Sequence, residues 1–155
     1  MAVLWGLLLG AAGARLCVPA VRAATTELIV SNHNNGLAIS GFDPVAYFID
    51  RAATPGEEAF ELTFGGVVWR FHNASNRAAF VLDPDVYMPR FGGYDPTGVA
   101  RGVAVPGDPR QWIIVGDRLY LFHSADARSA FAADAEQTIA TAGRRWPQVR
   151  LTLSP

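Results

Sequence analysis

The chain carries one stretch twice. Val68 to Phe80 (VWRFHNASNRAAF) returns at Leu119 to Phe131 (LYLFHSADARSAF), with Phe, His, Ala, Arg, Ala and Phe in register at an offset of 51. Upstream, Gly41-Phe42-Asp43-Pro44 returns as Gly93-Tyr94-Asp95-Pro96 at an offset of 52, the change a single loop indel leaves. A repeat sets the unit of folding. Two units of about 50 residues in a chain of 155 predict one domain with pseudo-two-fold symmetry, and the shared seam is the natural place for a ligand.

Each unit reads as a hairpin running into a helix, which makes the fold class α+β. Phe60 to Phe64 alternates apolar and polar residues with the period of a half-buried strand. Gly65-Gly66 then precedes a second run, Val67 to Phe71, and a glycine pair between two strand runs is a hairpin signal. The second unit repeats the device with Trp112 to Val115, Gly116-Asp117 and Arg118 to Phe122. Asn73 and Ser124 suit the N-caps of helices predicted over 74–82 and 125–133. Asp43-Pro44 and Asp95-Pro96 read as helix starts, because Asp can cap free N–H groups and Pro suits the first helical position. A strand is expected over 36–40, a short turn over 84–87, and a final helix from Ala135 to about Trp146 that Pro147 stops. The units span about 41–91 and 93–135, inside a single domain over 24–155.

The first residues read as a targeting segment. Val3 to Ala14 is apolar and small, and Val21-Arg22-Ala23 places small residues at −3 and −1 of a cleavage after Ala23. A signal peptide over 1–23 is therefore expected, with a periplasmic or secreted product and no stable membrane span after cleavage. No basic residue precedes the apolar run, so its positive charge comes from the amino terminus alone or from an upstream start. The one cysteine, Cys17, lies inside the segment, which leaves no thiolate ligand and no intrachain disulfide beyond it. A formal net charge of −1 gives no electrostatic case for nucleic acid.

The order of motifs resembles the YHS domain: Asp43-Pro44-Val45, an aromatic strand Val68-Trp69-Arg70-Phe71, then Arg77-Ala78-Ala79-Phe80, Asp83-Pro84 and Tyr87. Gly36 to Phe48 (GLAISGFDPVAYF) and Gly92-Gly93-Tyr94 are similar to the secreted YHS proteins of bacteria. The resemblance covers roughly residues 36–135 and implies metal binding where the family's cysteines are present. Here those positions hold Ala46, His72, Asn76 and Asp95. A sulfur site is thereby lost, and the ligands left suit a divalent ion, copper or zinc.

His72 and His123 stand at matching positions of the two units, each just ahead of a helix N-terminus. One reading makes them, with Asp95, the ligands of a metal ion held between the units, with Asp43 and Tyr94 lining the cleft. The other has each histidine bonding only the turn from strand to helix, and each aspartate only capping. No nucleophile elbow, phosphate loop or dinucleotide fingerprint is present. The function expected is thus that of an exported, non-enzymatic binding protein for a metal ion or small ligand. The alternative is an accessory protein docking to a cell-envelope complex without a ligand.

Overall fold

The computed structural model describes residues 28–153. The expected signal peptide, 1–23, and the expected mature start at Ala24 lie outside the described residues.

Glycine-rich turns set the two hairpins. Strand β1 (Glu57–Phe64) pairs antiparallel with β2 (Val67–Phe71), and β3 (Asp108–Val115) with β4 (Arg118–Phe122). Gly65 and Gly66 have φ of 63° and 81°, and Gly116 and Asp117 have 57° and 55°. Two consecutive left-handed residues match the twist of the flanking strands. Both first strands begin earlier than expected, because an irregularity between Glu57 and Glu61, and between Asp108 and Trp112, lets pairing resume upstream.

Helices α2 (Ala74–Leu82) and α5 (Ala125–Ala133) follow the hairpins at the expected residues. Their caps are as expected too: Asn73 Oδ1 accepts from the Asn76 N–H at 2.8 Å and Ser124 Oγ from the Ala127 N–H at 3.2 Å. Short helices α1 (Ala46–Ile49), α3 (Pro84–Tyr87) and α4 (Pro96–Ala100) fall at the Asp-Pro motifs. The described fold is therefore α+β, built of two two-stranded sheets and helices.

Two local expectations fail. Residues 36–40 do not form a strand. Leu37 and Ala38 make single bridges to Val68 and Ser31, and the chain then enters a 3-10 turn over Ile39–Gly41 with Ile39 and Ser40 at φ of 41° and 57°. Left-handed residues cannot continue a ladder. Helix α6 runs over Ala135–Leu151 and passes straight through Pro147. The proline forfeits one helical hydrogen bond, but the residues around it are held from the side. Trp146 packs on the second core cluster and Val149 is buried in it. Asp134 does not cap this helix with its side chain.

The core has two clusters with β4 between them. Leu119 and Leu121 join Ile39, Val45, Tyr47, Trp69, Phe71 and Phe80 in the first. Tyr120 and Phe122 join Phe91, Tyr94, Val99, Phe131, Ala142 and Val149 in the second. Alternate residues of a strand point to opposite faces, so β4 is buried on both. Strand β2 has no such division: Trp69 and Phe71 are buried in the first cluster, while Val68 and Arg70 are half-buried. The Tyr47 hydroxyl donates to the Pro109 carbonyl at 2.9 Å and ties α1 to β3.

Candidate functional site

Two buried carboxylates organise the residues singled out in the sequence. Asp43 and Asp95 are both fully buried. A buried carboxylate needs hydrogen-bond donors to offset its lost hydration. Asp43 has four. Its Oδ1 accepts from the backbone N–H of Val45 (2.8 Å) and Ala46 (3.3 Å), and its Oδ2 from the His72 N–H (2.7 Å) and Asn76 Nδ2 (2.6 Å). Asp95 also has four. Its Oδ1 accepts from Thr97 N–H (2.7 Å) and Oγ1 (2.8 Å), and its Oδ2 from His123 N–H (3.0 Å) and ring Nδ1 (2.5 Å).

Each aspartate thus fastens a helix start to the end of an aromatic strand. The fourth donor differs between them. At Asp43 it is the Asn76 amide; residue 127, at the Asn76 position of the second unit, is Ala, and the His123 ring turns in instead. An ionised carboxylate only accepts, so the neutral imidazole carries its proton on Nδ1. Nε2 then offers a lone pair, 3.3 Å from Ser124 Oγ, on a side chain that is 41% exposed. Burial pushes the Asp95 carboxyl up, but the bonds from His123 and Thr97 outweigh it and hold the group below the ordinary carboxylate value.

The expected metal set does not assemble. Among the described residues no group of three or more His, Cys, Asp or Glu side chains could hold a metal ion. Asp95 and His123 do meet, but His72 bonds Asp43 through its backbone and is exposed, because Asn76 already fills the place its ring would take. Copper or zinc therefore does not fit His72, His123 and Asp95 as a three-ligand site. Asp43 and Tyr94 are both buried, and Tyr94 packs against Trp146 with ring centroids 6.2 Å apart; neither lines the two cavities described next.

Two cavities lie along the connection between the units instead. One, of about 400 Å³, is lined by Asp85, Met88, Pro89, Arg90, Phe91 and Arg118. The other, of about 210 Å³, has walls from Ile29, Trp69, Met88, Pro89, Trp146 and Arg150. His123 and Ser124 border neither of these two cavities. The sequence reading missed Arg90 and Arg118. The one available signal was position, since both flank the seam and Arg118 opens a repeated strand.

Comparison with family models, with curated proteins and with solved structures returns no match.

Proposed function

We propose that this chain is an exported, non-enzymatic binding protein of YHS type that takes a small ligand at the connection between its two units. The observation that carries the reading is the cavity of about 400 Å³ lined by Asp85, Met88, Pro89, Arg90, Phe91 and Arg118. That volume lies in the range of small-molecule sites. Its walls combine apolar Met88, Pro89 and Phe91 with charged Asp85, Arg90 and Arg118, and such a mixture gives both burial and orientation to a ligand. The matching carboxylate bonds of Asp43 and Asp95 support treating the units as two copies of one design, with an approximate two-fold relation between them. Export rests on the apolar run and the Val21-Arg22-Ala23 site, and intact mass of the protein from its native host tests it.

Fragment screening by amide chemical shifts tests the binding reading. Ligands should move the Met88, Phe91 and Arg118 amides together. Shifts confined to other surfaces, or none from a broad library, would overturn it.

A further inference from the structure

Arg90 opens the 3-10 turn Arg90–Gly93 and Arg118 opens β4, so the connection and the second hairpin each bring one guanidinium to the larger cavity. Among the described residues neither has a carboxylate within 4.0 Å, whereas Arg70 and Arg110 do. Arg118 is held in place: its Nη1 donates to the Asp85 carbonyl at 3.2 Å. The Arg90 guanidinium carbon lies 5.9 Å from the centre of the Phe91 ring. The Tyr120 hydroxyl senses both cations. Burial raises its pKa, and the charges of Arg90 and Arg118, with a side-chain hydrogen bond from Arg90, pull it back. Two cations therefore converge on one open cavity, and among the described residues the only acidic lining residue is Asp85.

We infer that this cavity binds a small carboxylic acid in its anionic form, with the carboxylate against Arg90 and Arg118 and the rest of the molecule beside Met88. The inference rests on the binding function proposed above. Guanidinium forks match a carboxylate in two parallel hydrogen bonds. Two positive charges and one negative leave room for a single negative charge; a phosphate dianion would meet Asp85 in excess. A neutral ligand would leave the net positive charge of the cavity unanswered.

Calorimetric titration of the full chain with benzoate, benzamide and phenyl phosphate tests this. Benzoate should bind with one site per chain, phenyl phosphate more weakly, and benzamide without measurable heat. Arg118→Gln and Arg90→Gln should each weaken benzoate roughly 10- to 100-fold, the effect of losing a charged hydrogen bond. Arg118→Lys, which keeps the charge but not the fork, should fall between, and Arg144→Gln on the exposed face of α6 should change nothing. Unchanged melting of each variant by circular dichroism separates lost binding from lost fold. Equal binding of benzamide and benzoate, tighter binding of phenyl phosphate, or indifference to both arginine variants would overturn the carboxylate assignment. If no probe binds while fragments still shift Met88 and Phe91, the carboxylate inference alone falls. If fragments are silent there too, the binding function falls with it.

Discussion

Nδ1 of His123 lies 2.5 Å from the carboxylate of Asp95, and the contact stands where Asn76 bonds Asp43 at 2.6 Å in the first unit. The histidine is thereby a structural donor on one edge and a solvent-facing acceptor on the other. Substitutions at this contact should be read first as changes in folding.

His123→Ala and Asn76→Ala should each destabilise the protein by about 1–3 kcal/mol, because each leaves a buried carboxylate one donor short. Adding Ala127→Asn to His123→Ala should recover part of the loss by supplying the amide that Asn76 supplies to Asp43. Urea unfolding of His123→Ala, Ala127→Asn and the pair gives the coupling. Additive losses would show that residue 127 does not reach Asp95.

Acid should weaken the fold through Asp95. Its folded pKa lies below the ordinary 3.8, so its contribution is fully present above the unfolded value and is lost as pH falls through the folded one. Stability measured from pH 6 downward should therefore drop below about pH 4, and Asp95→Asn should flatten that slope while lowering stability at neutral pH. An Asp95→Asn protein with the parent's acid profile would assign the loss to other carboxylates.

Glycines with similar names have opposite tolerances. A Cβ on Gly107 would lie 2.6 Å from Leu121 Cβ and 2.7 Å from the Gly93 carbonyl oxygen, and Gly56 meets Arg70 backbone at 2.5 Å. Gly107→Ala should cost more than about 3 kcal/mol, since packed neighbours must move. Gly143 in α6 has nothing within 4 Å of its added Cβ, and Gly143→Ala should gain about 0.5–1 kcal/mol from helix propensity. Thermal melts of the two variants should shift in opposite directions.

Tyr47→Phe should cost about 0.5–1.5 kcal/mol by removing the hydroxyl that donates to Pro109. The parent hydroxyl should stay protonated through ordinary alkaline titration. Burial first, then the charges of Asp108 and Asp43, raise its pKa well above the usual tyrosine value. Ultraviolet titration reads this directly, and an early-ionising Tyr47 would contradict the closed packing around it.

Local chemistry made much of the fold legible. Gly65-Gly66 and Gly116-Asp117 fixed both turns, and Asn73 and Ser124 fixed both helix starts to the residue. What escaped the sequence depends on partners far along the chain. Pro147 ends a helix by local rules, yet Trp146 and Val149 are held by a core no local window contains. His72 and His123 look equivalent in the repeat, and one mismatch, Asn76 against Ala127, separates their rings. That mismatch was visible, but only the buried carboxylates give it meaning. Gly56 and Gly107 also recur at the offset of 51, a sign of the close backbone approach that both turn out to make.

Strand β4 serves both clusters, and this binds the halves in a way their similarity hides. Cutting the chain between the units would strip Leu119 and Leu121 from the first half and leave a wet breach beside Trp69 and Phe71. The second half would keep the strand with one apolar face bare to water. Each fragment should be sticky and poorly folded alone, and the amides of β4 should be among the last in the molecule to exchange with solvent, since none can open without disturbing both sides. Through this shared strand each half depends on the other for a closed core.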